Sequence, residues 1–186
     1  MPSSSCVFAQ VMSALHPQEF ARCVERFPPQ RRVRGLSAYD HFLALCFFQL
    51  TGREGLRDLV VCLNARPGRT YNAGFRTRLT RTNLAYANEH RDWRTVAAVA
   101  QVLMRRAAKL YADHPTDPDL PQLSYALDAS LISLSLALFP WARWRGPTAA
   151  VKLHTLLSLR GPVPTWTAVT EACCPDSLML EHIPLE

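Results

Sequence analysis

The sequence predicts an α+β protein in which an all-α helical domain precedes a domain built on a β-sheet. Apolar residues recur at helical spacing through the first part of the chain, and they alternate with small or polar residues from residue 122 onward. Between the two parts lies the segment HPTDPDLP, whose three prolines disfavour both helix and strand. We therefore assign residues 1–113 to a helical domain, 114–121 to a linker and 122–186 to the sheet domain.

The chain is expected to begin with two short helices, over residues 3–15 and 17–27, because apolar side chains repeat there at helical spacing. Pro17 suits the first turn of the second helix, where a missing N–H costs no hydrogen bond. Residues 28–35 then form a basic linker. Such linkers are usually just solvated, and contact with a phosphate is the alternative.

Two amphipathic helices follow the basic linker. Ser37 is expected to cap the first, with Asp40 as the acidic partner of a capping box, and Gly52 is expected to end it. The second covers residues 56–63 and is expected to stop before Pro67.

A basic loop at residues 69–81 leads into a short helix near residues 82–90. Two helices, a basic loop and a further short helix are compatible with a DNA reader of the helix-turn-helix kind. The alternative is a plain helical bundle with an exposed basic loop. In the DNA-reading interpretation, Asn83, Asn88 and His90 are candidates for contact with base edges.

A long helix over residues 93–113 completes the helical domain. Beyond the linker, alternating patterns predict strands at residues 123–133, 151–159 and 164–170. Asp128 is the single carboxylate within the first of these strands. A carboxylate buried in a strand is costly unless it is paired or holds a cation, whereas a lone aspartate usually lies on a solvated face. Both interpretations are open for Asp128.

Charge is divided unevenly along the chain. Up to residue 110 there are 17 Arg and Lys against 7 Asp and Glu, and from residue 111 there are 4 against 8. We therefore expect the front half to face phosphates. The six cysteines include no C-x-x-C pair, which argues against a zinc site. No segment reads as a signal peptide or a membrane span, so we expect a cytoplasmic protein with no membrane partner.

Several longer motifs occur in order: ALDAS at residues 126–130, LSLALFPWARWR at 134–145 and AAVKLHTLLSLRGPVP at 149–164. With residues 36–59 and 87–94, they resemble an insertion-sequence DDE transposase of the insertion-sequence-four type, which carries a helical domain of unknown function before its catalytic core. The resemblance implies that the sheet domain is the first part of an incomplete RNase H-like core.

In this family three acids hold Mg²⁺ or Mn²⁺ for DNA cleavage and strand transfer. Asp128 matches the first of them, as both a catalytic and a metal-binding residue. The second acid, in an Asp-Arg-Gly-Tyr context, and the third, a Glu, are not among the 186 residues. We therefore expect a C-terminally truncated, N-terminal fragment that is inactive as it stands and does not bind the metal tightly, and we leave open whether it is an enzyme.

The resemblance also implies that transposon-end DNA is a partner, alongside a second copy of the chain or a full-length transposase. Lys152 and His154 are placed like a basic pair that lies near the DNA in the family, although His154 also fits a packed strand residue. The alternatives in function are a stand-alone DNA-binding regulator and a helical interaction module without catalysis. The candidate DNA-binding residues are Arg76, Arg78, Arg81, Asn83, Arg143, Arg145, Lys152 and His154.

Overall fold

The chain divides into two compact units, Met1–Ala100 and Gln101–Glu186. The first unit is helical and the second is built on an antiparallel sheet, so the predicted α+β class is confirmed. The computed structural model describes residues 6–29, 31, 33–111, 124–137, 139–159, 161 and 163–183.

The helices predicted in the front half are present, most of them within a few residues of the expected limits. One more, α5, occupies part of the predicted basic loop. The helices are α1 (Val7–Met12), α2 (Pro17–Arg26), α3 (Ala38–Leu50), α4 (Leu56–Asn64), α5 (Pro67–Asn72), α6 (Arg81–His90) and α7 (Arg94–Tyr111).

The prediction missed α5 because a proline often follows the end of a helix, whereas Pro67 begins a new helix here. Proline fits the first turn, where its N–H would have no intrahelical acceptor. Gly74 ends this helix at a φ of +103°, a conformation that side chains with a Cβ rarely adopt. The N–H of Gly74 donates to the carbonyl of Tyr71 (3.0 Å), and the N–H of Phe75 donates to that of Thr70 (3.2 Å). These two hydrogen bonds fix the direction in which the shortened basic loop leaves α5.

Ser37 caps α3 as expected, since its hydroxyl accepts a hydrogen bond from the N–H of Asp40 at 2.9 Å. The expectation that the Asp40 side chain completes a capping box is wrong. The Asp40 side chain is only 1% exposed, and its carboxylate accepts from the N–H of Arg76 (3.0 Å) and the hydroxyl of Thr77 (2.7 Å). A buried carboxylate needs donors, and the basic loop supplies two.

The core of the first unit is formed by the apolar faces of these helices. Phe20 lies between Tyr39 and Phe42, with both ring-centroid distances at 5.2 Å. Such aromatic contacts add to the stabilisation from apolar burial. The largest fully buried apolar side chains of this unit are Leu15, Leu43, Leu59, Leu79, Leu84 and Val99.

In the second unit, β1 (Tyr125–Leu134), β2 (Ala149–Ser158) and β3 (Val163–Glu171) form an antiparallel sheet in the order β1-β2-β3. All three strands were predicted, and β2 begins two residues earlier than expected because the pairing extends to Leu134 opposite Ala149. The register pairs Asp128 with Thr155.

A short helix, α8 (Asp176–Met179), follows β3 and contacts β1. It was not predicted, because four residues are too few for a helical period to show. On the opposite side of the sheet, Ala149 and Val151 bury against Ala142 in the β1–β2 connection. The sheet is therefore packed on both sides, but over different parts of its length.

The division between the units falls within α7, whose residues 101–111 lie in the second unit. There Tyr111 approaches the chain so closely that a Cβ added at Gly161 would stand 2.8 Å from the Tyr111 Cβ. The predicted linker at 114–121 lies outside the described residues. None of the described helices is long and apolar enough to cross a membrane.

Candidate nucleic-acid interface and strand carboxylate

The loop between α5 and α6 is held at its start by Arg76. The backbone N–H of Arg76 donates to buried Asp40, as described above. Its guanidinium donates to the carbonyls of Tyr71 (3.0 Å) and Phe75 (3.1 Å) and lies 4.3 Å from the centre of the Tyr71 ring. Arg76, predicted to bind DNA, is exposed but already has several contacts within the protein.

Arg78 and Arg81 are exposed, and within the part of the chain that the structure describes their guanidinium groups have no hydrogen-bond or ion-pair partner. Between them, Leu79 is 1% exposed, and its carbonyl accepts from the side chain of Asn64 at 2.7 Å. The loop is thus anchored by a buried leucine while two cations stay available. An anion such as a phosphate can bind them without first breaking an ion pair.

The first turn of α6 is set by Thr80, whose hydroxyl accepts from the N–H of Asn83 at 3.1 Å. The Asn83 side chain is half-buried and lies 3.3 Å from the position that a Cβ on Gly35 would occupy. Gly35 has a φ of +70°, so a larger residue there would be strained as well as crowded. Asn83 therefore lies beside the linker, close to the exposed arginines in sequence.

The other two polar residues proposed to face base edges also have partners within the unit. The Asn88 amide oxygen accepts from Nε2 of His41 at 2.7 Å, and His90 stacks on Tyr86 with ring centroids 3.9 Å apart. Burial lowers the pKa of His41, the nearby charge of Arg91 lowers it further, and the bond to Asn88 partly opposes both effects. His41 is thereby kept in its neutral form, which suits a structural hydrogen bond.

A cavity of about 480 Å³ lies elsewhere in the first unit, with walls that are mainly aromatic and aliphatic, including Phe20, Phe42 and Trp93. His41 and Arg91 are among its polar lining residues, and both are paired. Arg91 donates to the carbonyls of Leu36 and Ser37, and His41 is bonded to Asn88. Nothing in this lining favours a nucleic acid.

Asp128 lies on β1 and is exposed. Its register neighbours on the same face are Thr155 on β2 and, across from Thr155, Thr167 on β3. Among the described residues, its carboxylate has no hydrogen-bond or ion-pair partner, and no cluster of three or more His, Cys, Asp or Glu side chains occurs. The described residues therefore do not fit a magnesium or manganese site, which needs several converging oxygen ligands.

Lys152 and His154 lie on the opposite face of the sheet from Asp128, because His154 pairs with Ala129 and side chains alternate along a strand. Lys152 donates to the carbonyl of Cys174 (2.7 Å) and lies 3.3 Å from the carboxylate of Asp176. The same oxygen of Asp176 lies 3.3 Å from Nδ1 of His154. We name Lys152, His154 and Asp176 the α8 clamp.

His154 is fully buried beneath this region, and its Nε2 lies 2.9 Å from the Thr170 hydroxyl. Nδ1 makes no well-aligned hydrogen bond, although Asp176 is within ion-pair distance. In the arrangement described, DNA cannot reach this side chain. The position of His154 corresponds to the alternative predicted from the sequence, a strand residue packed within the fold.

Arg143 and Arg145 lie in the connection between β1 and β2, and both are exposed. The guanidinium of Arg145 lies 4.7 Å from the centre of the Trp144 ring. Arg143 bridges to Ala149 through the backbone, which leaves its side chain outside the sheet. They belong to the second unit, whereas Arg76, Arg78, Arg81 and Asn83 belong to the first.

Comparison with known families gives one match. A family model described as a domain of unknown function, DUF4372, matches residues 3–76, and this domain is found in transposase-like proteins. The match covers α1 to α5 and ends at residue 76, within the basic loop. No curated protein and no solved structure matches the chain.

Proposed function

We propose that this protein is a DNA-binding protein of the transposase type, whose first unit binds transposon-end DNA. The observation that carries the proposal is the pair of exposed arginines, Arg78 and Arg81, which have no partner among the described residues and are held at the entrance of α6 by buried Leu79. The excess of cations in the front half supports it, since phosphate contacts dominate the affinity of DNA-binding proteins. The DUF4372 match supports it too, because that domain occurs in transposase-like proteins.

For the second unit we propose the first strands of an RNase H-like core. Three consecutive antiparallel strands with an acid on the leading one support this assignment. Since the described residues do not fit a metal pair, DNA cleavage and strand transfer by this chain alone are not part of the proposal. Arg143 and Arg145 remain candidates for a second phosphate contact, whereas Lys152 and His154 would first have to leave the α8 clamp.

The proposal is tested by measuring the affinity of the full chain for a short DNA duplex over a range of salt concentrations. We expect log K to fall linearly with log[salt]. Replacing both Arg78→Gln and Arg81→Gln should weaken binding and reduce the slope by about two, one for each lost phosphate contact.

Arg53→Gln is the control for the loss of one cation, because it removes a single positive charge from a guanidinium that already lies 3.5 Å from Asp58. It should leave the slope unchanged. If the wild-type chain shows no salt-dependent binding, the protein is the helical interaction module that the sequence left open. Preference for the transposon's inverted repeats over arbitrary duplex is expected of an end-binding protein.

A further inference from the structure

We propose that a cavity beside the basic loop is a pocket for an unpaired nucleobase, so that the first unit binds DNA containing an unstacked nucleotide more tightly than intact duplex. This inference rests on the proposed DNA binding and adds a ligand class to it. The cavity has a volume of about 390 Å³ and lies between the end of α4, α5 and the start of the loop. That size falls within the range of pockets that hold small ligands.

Tyr71 and Arg76 give the pocket a stacking platform. Both line it, and the Tyr71 side chain is 61% exposed although its ring is packed against the Arg76 guanidinium. Because that guanidinium is bonded to two backbone carbonyls, the pair is fixed before any ligand arrives. Nucleobases stack on aromatic rings and on arginine planes with little dependence on sequence.

Asn64 gives the pocket an acceptor for a base edge. Its Nδ2 donates to the carbonyl of Leu79 at 2.7 Å, which fixes the orientation of the amide. No group in the described part of the chain donates to its Oδ1, and Asn64 lines the cavity. An amino group on a base can donate a hydrogen bond to this Oδ1, because an amide oxygen accepts from such donors.

The two threonine hydroxyl groups of the lining already have acceptors within the protein. Thr77 donates to Asp40, and Thr70 donates to the carbonyl of Leu63. Arg78 also lines the cavity, and within the described part of the chain its guanidinium has no hydrogen-bond or ion-pair partner. A nucleotide whose base lies against Tyr71 therefore has a cation nearby for its phosphate. In an intact duplex, base stacking covers the faces that this pocket would contact.

The test compares two DNAs of equal length and charge, a perfect duplex and the same duplex with a central mismatched bubble that contains a fluorescent purine analogue. We expect the wild-type chain to bind the bubble about tenfold more tightly and to quench the analogue through stacking. Tyr71→Ala should abolish both the preference and the quenching but leave duplex affinity within about twofold. Tyr71→Phe keeps the ring and should keep both.

Trp93→Ala is the control, since Trp93 is 64% exposed in the same unit but does not line this cavity. It should change neither affinity, and circular dichroism should confirm that each variant is folded. Equal wild-type affinity for both DNAs, or a preference that persists in Tyr71→Ala, would overturn the pocket and leave the proposed DNA binding intact. Absence of salt-dependent binding to either DNA would overturn both.

Discussion

Asp40 connects the helical core to the candidate DNA-binding surface. Its carboxylate is buried at 1% exposure, and its two hydrogen-bond donors both come from the loop that carries the exposed arginines. A charged acceptor that bonds to a backbone N–H and to a hydroxyl makes stronger bonds than a neutral one. The position of the loop that carries Arg78 therefore depends on Asp40, which is 36 residues from Arg76 in sequence.

We expect Asp40→Ala to lower the free energy of unfolding by about 1–3 kcal/mol, because it leaves two donors of the loop without their acceptor. Asp58→Ala is the matched control. Asp58 has a half-exposed side chain, 3.5 Å from Arg53, so its loss should cost no more than about 1 kcal/mol. Urea denaturation of the full chain measures both, and equal losses would contradict the role assigned to Asp40.

At the scale of an element, the α8 clamp attaches a four-residue helix to the sheet. The helix is too short to be stable by itself, so its contacts with β2 must hold it in place. Asp176 supplies the anion for Lys152 and lies beside buried His154. The neighbouring Met179 and Ile183 are buried and add apolar contact.

We expect Asp176→Ala to loosen α8 without unfolding the sheet. The Asp176 side chain is 51% exposed, so solvent screening limits the stability loss to about 1 kcal/mol or less. Amide hydrogen exchange should accelerate at residues 176–183, whereas β1 should stay protected. Glu181→Ala, close to the same helix and exposed, is the control and should leave exchange unchanged. Equal exchange in the two variants would show that apolar contact alone holds α8.

At the scale of the whole molecule, the two units differ in charge and in what they offer to DNA. The first carries most of the arginines, and the second offers one carboxylate on its leading strand β1, Asp128, with two threonines in its register row. Phosphate binding needs cations, whereas phosphoryl transfer with metal ions needs several converging carboxylates. The proposal therefore assigns DNA binding, and not catalysis, to the described residues.

We expect no Mg²⁺- or Mn²⁺-dependent nicking of supercoiled plasmid by the purified chain, because the described residues include no cluster of three or more His, Cys, Asp or Glu side chains and Asp128 therefore lacks the converging ligands of a metal pair. Asp128→Ala should leave stability within about 0.5 kcal/mol of wild type, since the side chain is exposed and unpaired. Nicking that is present in the wild type and lost in Asp128→Ala would contradict this expectation and make Asp128 a catalytic residue.

The sequence by itself determined the α+β class, the positions of most helices and strands, and the caps at Ser37 and Gly52. These depend on local spacing and on the conformations that single residues prefer, so neighbours in sequence suffice to reveal them. It did not reveal α5, because Pro67 also fits the end of the preceding helix, or α8, whose four residues are too few to show a helical period.

Only the packed fold shows which face of the sheet α8 covers. Alternation along β1 and β2 implies that neighbours such as Ala129 and Asp128 point to opposite faces, but it does not say which face α8 will cover. The fold buries His154 and leaves Asp128 in solvent. The fold likewise pairs the Asp40 carboxylate with donors in a distant loop rather than with the N–H groups of its own helix cap. A buried charge needs hydrogen-bond donors, and only the packed chain determines which donors are close enough.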